Sequence, residues 1–323
     1  MPARRVALIQ NRDGKNKPHT GVAMIFGLQM SQYNTRWSDV AAVAKTVEAG
    51  RWHSLWLSDH FMPPGRGGHG WALEGWTLLS AVAMVTDRVR LGILATGNTY
   101  RNPALLAKIA TTLDHISGGR VELGLGAAWY EQEHTAYGWD FPSLRERSDR
   151  LEEATQLIRL LLTKDPEEYV NYSGKYYQLN DAPMSPRTAQ DKPIPILIGG
   201  NGEKRTLRTC ARYGDTSNLD FWHPGGVDVY KRKQQAIDRH CEDCGRDPEE
   251  IRRTVCLPTR VFDNDEEWKK SPGQPWYCWG TVNAIQDYLG GYIEAGADEI
   301  MLCGFGNSTE AIERVESEVL SVF

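Results

Sequence analysis

The stretch RLGILATGNTYRNPALLAKIATTLDHISGGRVELGLGAA, residues 90–128, reads as a strand, a helix and a second strand. Residues 90–98 and 120–128 are short and mostly apolar, which predicts buried strands. Asn102 and Pro103 predict a helix start, because asparagine caps free N–H groups and proline fits the first helical turn. Gly118–Gly119 predicts the helix end. The stretch therefore predicts one β-α-β unit.

The same alternation of strand and helix repeats eight times along the chain. The predicted strands are 21–30, 54–60, 90–98, 120–128, 193–201, 216–221, 252–262 and 299–305. The predicted helices are 38–50, 74–86, 102–118, 143–161, 203–213, 227–244, 281–296 and 308–321, with Ser38 and Ser143 as caps. Strands that are apolar on both faces are typical of a parallel sheet covered by helices. Eight units favour an α/β fold of the closed (β/α)8 TIM-barrel type over an open doubly wound sheet, and the first strand carries no G-x-G-x-x-G.

The barrel is predicted as a single domain over residues 21–323, preceded by an N-terminal arm, residues 1–20. Two segments interrupt the alternation. Residues 165–192, after the fourth helix, predict a β-hairpin that turns at Ser173–Gly174 and lies outside the barrel. Residues 264–279, after the seventh strand, are rich in tryptophan and proline and predict an irregular insertion.

Composition limits the possible partners. The 323 residues carry a formal net charge of -5, which argues against a nucleic-acid partner because phosphate binding requires clustered basic residues. No apolar run approaches the roughly 20 residues that cross a bilayer, and the N-terminal residues do not resemble a signal peptide. The cytoplasm is the expected location. Cys241 and Cys244 form a C-x-x-C that lacks a second ligand pair, so we expect ordinary thiols and no metal site.

Barrel enzymes carry their chemistry at the carboxyl ends of the strands, so polar residues there are the first candidates. The second strand ends in Asp59-His60. A histidine there can exchange a proton near neutral pH, and an aspartate can orient it; alternatively, His60 only ends the strand. The third strand ends in Thr96-Gly97-Asn98, where glycine indicates a close backbone approach to a ligand, or simply a turn.

The fourth and fifth strands also end in candidate binding residues. Gly126, Ala127 and Ala128 are small enough for a flat ring to lie against the backbone. Glu131 and His134 follow as acid–base candidates; a metal site built on this pair would need ligands from other strands. Gly199-Gly200-Asn201 opens a helix beside Arg205, which is typical of a phosphate cradle but not of a P-loop.

Five collinear blocks resemble the luciferase-like monooxygenase superfamily, and within it the oxidoreductases that depend on the deazaflavin coenzyme F420. The blocks are SLWLSDHF at 54–61, residues 88–141, PSLRERSDRLEEATQLIRLL at 142–161, residues 193–218 and residues 280–302. The resemblance implies a cofactor ring across the strand ends, flanked by Gly126, Ala127 and Ala128. It implies that the backbone of Gly199, Gly200 and Asn201 holds the phosphate. It also implies a non-proline cis peptide at Thr96–Gly97 or Gly97–Asn98.

The function that the resemblance implies is hydride transfer between F420 and a small organic substrate, which the many aromatic residues suggest is planar or hydrophobic. His60 is the expected proton carrier, positioned by Asp59, with Glu131 in reserve. FMN is the alternative cofactor, in a two-component monooxygenase served by a separate reductase. A metal-dependent hydrolase and a non-catalytic cofactor-binding protein are further alternatives. The superfamily also implies a homodimer.

Overall fold

The computed structural model describes residues 9–10, 16–17, 24–65, 69–165, 167–222, 225–271 and 273–323. Eight parallel strands form its centre: β1 Ile25–Gln29, β2 Ser54–Leu57, β3 Arg90–Ile93, β4 Val121–Gly126, β5 Ile196–Gly199, β6 Thr216–Asp220, β7 Arg252–Val261 and β8 Glu299–Cys303. Neighbouring strands in this order pair with each other, and β8 pairs with β1. The sheet is therefore closed, which confirms the predicted barrel.

Helices cover the outside of the barrel. The α-helices are Trp37–Ala49, Gly75–Ala83, Pro103–Ser117, Glu131–Tyr137, Leu144–Thr163, Thr206–Tyr213, Val227–Cys244, Asp265–Lys269, Val282–Glu294 and Thr309–Arg314. The predicted caps at Asn102 and Ser143 are confirmed, since both side chains accept first-turn N–H groups. The prediction for Ser38 is wrong, because the helix begins one residue earlier and Arg36 is its N-cap. No helix in the described ranges is long and apolar enough to span a bilayer.

Both predicted insertions contain regular structure. Tyr169–Ser173 and Gln178–Pro183 form the predicted hairpin, and Glu153 fixes it by accepting the backbone N–H groups of residues 175–177. The second insertion is less irregular than expected, because Cys278–Gly280 pairs in parallel with the end of β7. In the predicted N-terminal arm, Ile9–Gln10 pairs with Asn16–Lys17. The rest of the arm lies outside the described residues.

Two layers of side chains fill the barrel interior. The layer nearer the carboxyl ends of the strands is mainly apolar and contains Trp56, Leu94, Leu197, Cys256, Met301 and Cys303. The lower layer, at the amino ends of the strands, is ionic. There Arg252 contacts both Glu122 and Glu299, and Arg90 Nε donates to Glu122 Oε1 at 3.1 Å. The Ser54 hydroxyl donates to Glu299 Oε1 at 2.5 Å. Each carboxylate has a cationic neighbour, but Glu299 Oε2 accepts no hydrogen bond from a described residue, so the charge of Glu299 is only partly compensated.

Replacing Glu299 by glutamine is expected to remove a pH dependence of stability. Burial raises the pKa of Glu299 from 4.5 to about 7, and Arg252 and Ser54 offset this only in part. Because the folded state binds this proton more tightly than the unfolded chain, the group reduces the free energy of unfolding as pH rises from 4.5 to about 7.

Urea denaturation at about pH 5 and about pH 8 measures this effect. The wild type is expected to lose on the order of 3 kcal/mol more than Glu299→Gln between the two conditions. Equal losses in the two proteins would show that Glu299 ionises normally.

Candidate active site

The candidate site residues lie on strands that end at one rim of the barrel. A short extension of β3, Thr96–Gly97, pairs in parallel with Leu125–Gly126 of β4. On the other edge of β4, Leu125 pairs with Ile198 of β5. The predicted ends of the third, fourth and fifth strands are therefore brought side by side.

His60, just beyond the end of β2, is held by a buried carboxylate. Its Nδ1 lies 3.1 Å from Oε2 of Glu133, which is fully buried. Glu133 also accepts hydrogen bonds from the Tyr100 hydroxyl at 2.5 Å and from the backbone N–H groups of Phe61 and Met62. Burial alone would raise the pKa of Glu133, but these donors outweigh it and hold the pKa below its ordinary value. The carboxylate is therefore ionised at neutral pH.

The Glu133 carboxylate determines which nitrogen of neutral His60 carries the proton. An ionised carboxylate only accepts hydrogen bonds, so Nδ1 must be the donor. The second nitrogen, Nε2, then has a free lone pair and no hydrogen-bond partner in the part of the chain that the structure describes. The His60 side chain is 14% exposed. It can accept a proton from a molecule bound at the rim.

Asp59 does not orient His60, which corrects the sequence prediction. Its buried carboxylate accepts two hydrogen bonds from Arg101 Nη1, at 3.0 and 2.7 Å. It also accepts the Gly97 N–H at 2.9 Å. Burial raises the pKa of Asp59, and the contacts with Arg101 and Gly97 oppose that shift. Asp59 therefore fixes the backbone of the third-strand end.

Small residues let the ends of β3, β4 and β5 approach each other closely. A methyl group placed on Gly126 would lie 3.6 Å from Ala95 Cβ and 3.7 Å from the Gly199 carbonyl oxygen. One placed on Gly199 would lie 3.1 Å from Ala95 Cβ. Ala128 adopts a positive φ of 60°, which a non-glycine residue rarely does. The non-proline cis peptide is at Leu94–Ala95, so the predicted positions at Thr96–Gly97 and Gly97–Asn98 are wrong.

Buried polar atoms at this rim lack partners. Thr96 Oγ1, Asn98 Oδ1 and Asn201 Oδ1 have no acceptor or donor in the described ranges. Nearly all buried polar groups in folded proteins are hydrogen-bonded, so three such atoms together point to a bound polar molecule. Small residues and unpaired polar atoms at one rim fit a flat ring with polar edges, as the deazaflavin of F420 or the flavin of FMN would be.

The turn after β5 is built differently from the predicted phosphate cradle. The Gly200 N–H donates to the Asn218 carbonyl at 3.1 Å, so it is not free to bind a ligand. Arg205 is also engaged, since it forms an ion pair with Asp149. The backbone N–H groups of Asn201 and Gly202 have no acceptor in the described part of the chain. The predicted cradle is therefore reduced to these two groups.

The two acid–base candidates after β4, Glu131 and His134, differ in solvent exposure. Glu131 is exposed, and its side chain forms no hydrogen bond with a described residue. His134 is fully buried; its Nδ1 lies 2.8 Å from the Tyr130 carbonyl oxygen and its Nε2 lies 2.7 Å from the Thr99 hydroxyl. Both ring nitrogens of His134 are therefore used structurally. Across the described ranges, no group of three or more His, Cys, Asp or Glu side chains could hold a metal ion.

Sequence reasoning missed Glu133, Tyr100 and Arg101. Glu131 and Glu133 are two residues apart. Because a helix begins at Glu131, the two side chains lie on different faces of it, and Glu133 lies on the buried face. That helix, Glu131–Tyr137, was not predicted. A prediction of it would have placed Glu133 and His134 together on the buried face.

The chain is similar to known proteins in sequence. The family model described as luciferase-like monooxygenase matches residues 19–319. The F420-dependent glucose-6-phosphate dehydrogenase of Amycolatopsis mediterranei (strain U-32) is 34% identical over 71% of this chain and 66% of its own length. The enzyme of the same name from Kineococcus radiotolerans is 36% identical over 67% of this chain and 64% of its own length. The matches thus span less than two thirds of either relative.

A solved structure supports the fold assignment. An F420-dependent secondary alcohol dehydrogenase, in complex with an F420-acetone adduct, superposes with a TM-score of 0.81. It is 20% identical, and the alignment covers 94% of this chain and all of that chain. At this identity the likeness establishes the fold alone. Because the family model covers nearly the whole chain, the resemblance predicted from the sequence is confirmed: the protein belongs to the luciferase-like monooxygenase family.

Proposed function

We propose that this protein is an F420-dependent oxidoreductase that transfers a hydride between the deazaflavin and a small organic substrate. The observation that carries the proposal is His60, which presents Nε2 at the rim because the buried Glu133 carboxylate holds Nδ1. The names of the curated relatives support F420 as the cofactor. FMN, used by a two-component monooxygenase with a separate reductase, is the alternative that the first experiment below distinguishes.

The residues at the rim fit the cofactor. Thr96, Asn98 and Asn201 would offer polar atoms to the ring and its side chain, and the small residues Gly126 and Gly199 would let the ring lie close to the strand ends. The free N–H groups of Asn201 and Gly202 would contact the phosphate. When bound, the deazaflavin supplies the site that accepts or donates the hydride.

His60 handles the proton that accompanies hydride transfer. Oxidation of an alcohol removes a hydride from carbon and a proton from oxygen, and Nε2 of neutral His60 can accept that proton. The resulting imidazolium is stabilised by Glu133, which lies 3.1 Å from Nδ1. In the reverse direction, the same Nε2–H returns the proton to the carbonyl oxygen. Trp129 and Tyr130 pack edge-on against His60, with ring centroids 5.5 and 5.8 Å from that of the imidazole.

The substrate is proposed to be planar or hydrophobic. A cavity of about 560 Å³ opens at the carboxyl ends of β7 and β8; His60 and the candidate cofactor residues lie outside its lining. Trp222, Trp279 and Phe305 form aromatic walls, and Thr259 and Arg260 supply polar groups. Aromatic walls with a few polar groups are typical of sites for small organic molecules. Secondary alcohols and glucose 6-phosphate, which occur in the names of similar proteins, are suitable first compounds to assay.

The choice between F420 and FMN can be measured directly. Purified protein titrated separately with F420 and FMN is expected to bind F420 with a dissociation constant at least about tenfold lower, a difference of about 1.4 kcal/mol in binding free energy. Fluorescence of the cofactor measures both titrations. Tighter binding of FMN, with reduced FMN supporting oxygen consumption, would replace the proposal by the monooxygenase alternative.

Two substitutions separate the roles of His60 and Glu133. His60→Ala is expected to keep cofactor affinity and lose on the order of 10²- to 10⁴-fold in kcat, the usual contribution of a general base. Glu133→Gln presents an amide N–H toward Nδ1 and so moves the imidazole proton to Nε2, which leaves no free lone pair at the rim. We expect a lower kcat with little change in KM.

Nitrogen-15 NMR of His60 provides the matched readout for Glu133→Gln. The wild type is expected to carry its proton on Nδ1 and the variant on Nε2. Glu131→Gln is the control, since this exposed carboxylate should affect neither the tautomer nor kcat. A full loss of activity in Glu131→Gln would show that the proton carrier has been misassigned.

We also propose a cytoplasmic homodimer. The neighbouring helices Gly75–Ala83 and Pro103–Ser117 leave large apolar side chains exposed: Met84 is 72%, Leu105 55% and Ile116 44% exposed. Leu105 and Ile116 are eleven residues apart, about three turns, so both lie on the same side of that helix and one interface would cover both. Light scattering is expected to give twice the monomer mass, and Leu105→Glu is expected to shift it toward the monomer. A monomeric wild type at micromolar concentration would refute the dimer.

A further inference from the structure

Arg147 is a buried cation without an anionic partner among the described residues. It lies near the start of the helix Leu144–Thr163 and is 7% exposed. Its Nε and Nη1 atoms form no hydrogen bond with a described residue, and its guanidinium forms no ion pair there. The guanidinium packs on the ring of Phe141, whose centroid lies 3.8 Å from Arg147 Cζ.

The other buried arginines show how unusual this is. Arg120, which is 8% exposed, donates to four backbone carbonyl oxygens and one hydroxyl oxygen. Arg253, which is 2% exposed, donates to Gln234 and pairs with Asp238. A buried charge without such partners is strongly destabilising. Burial lowers the pKa of Arg147, as it does that of Arg120, and Glu131 opposes the shift only in part. An anion supplied from outside the chain would remove the penalty.

Contacts of the same helix place Arg147 beside the rim. The Phe141 ring packs 4.8 Å from His134, which in turn contacts Thr99 at the end of β3. On the other side, Arg205 of the turn after β5 pairs with Asp149 and donates to the Arg145 carbonyl. The start of the helix therefore lies between the ends of the strands that carry the candidate cofactor residues.

The helix start itself favours an anion. Ser143 caps the Glu146 N–H, which leaves the N–H groups of Leu144 and Arg145 without an acceptor in the described chain. Unpaired N–H groups and the positive end of the helix dipole attract negative charge. The nearest anionic side chain, Glu131, is exposed and forms no ion pair with Arg147.

We propose that Arg147 and the amino end of its helix bind the anionic part of the cofactor's side chain. This inference rests on the proposed F420 dependence. F420 carries a phosphodiester followed by glutamate carboxylates, and either group would offer paired oxygens to the planar guanidinium. Arg147 would thus add a cationic contact beyond the weak phosphate cradle at Asn201 and Gly202 and favour a long acidic side chain over the shorter one of FMN.

The test compares Arg147→Gln with wild type in binding three probes. These are F420, F420 lacking its glutamates, and the deazaflavin nucleus lacking both phosphate and glutamates. Removing a charged hydrogen-bond partner is expected to weaken F420 binding by about tenfold to a hundredfold. Binding of the bare nucleus is expected to remain unchanged. Equal losses with and without glutamates assign the contact to the phosphodiester, whereas a loss only with glutamates assigns it to the carboxylates.

Lys164→Gln is the matched control, because it removes one positive charge from the C-terminal cap of the same helix. It is expected to leave all three affinities unchanged. Arg147→Lys, which keeps the charge but not the planar fork, is expected to bind F420 with intermediate affinity. It also serves as the second variant if the glutamine protein fails to fold.

Thermal unfolding gives a readout that does not depend on activity. Inorganic phosphate is expected to raise the Tm of wild type and to have little effect on Arg147→Gln. Without any ligand, the glutamine variant is expected to be at least as stable as wild type, because an unpaired buried charge has been removed. If wild type binds F420 and Arg147→Gln binds it equally well, this inference is wrong and the proposed function stands. If wild type does not bind F420, the proposed function itself fails.

Discussion

The pairing of β5 with both β4 and β6 closes the sheet, and the rest of the molecule depends on that closure. A closed parallel sheet has no unpaired edge, and all of its strands must end at the same rim. His60 and Gly199 are far apart in sequence, yet both lie at that rim because each follows or ends a barrel strand. The fold thus assembles a site from loops that share no local sequence relationship.

The two ends of the barrel differ in what could relieve their buried polar groups. At the amino end, Glu122 pairs with Arg90 and Arg252, whereas Glu299 Oε2 lies 3.6 Å from Arg252 and accepts no hydrogen bond from a described residue. At the carboxyl end, Asn98 Oδ1 and Asn201 Oδ1 are buried without a partner in the described ranges. Leaving such groups unpaired reduces stability. A proton relieves the cost at Glu299, in line with its pKa of about 7, whereas a bound ligand is proposed to supply the contacts at the carboxyl end.

Local patterns predicted the barrel well because its strands and helix caps are encoded locally. Asn102 with Pro103, and Gly118 after the helix, carry their own structural signal. The contacts within the site could not be predicted in this way. Nothing local indicates that Asp59 binds Arg101 while Glu133 binds His60, since those choices depend on how loops after different strands pack. The Gly200 N–H was misjudged for the same reason: its acceptor, Asn218, belongs to the next strand.

Glu133 binds the backbone of Phe61 and Met62 as well as the side chain of His60. The orientation of the imidazole is thus fixed by a helix that follows a different strand. Changes in the His60 loop beyond Met62 would leave this carboxylate–imidazole contact in place, because the hydrogen-bond partners of Glu133 among the described residues are His60, Phe61, Met62 and Tyr100.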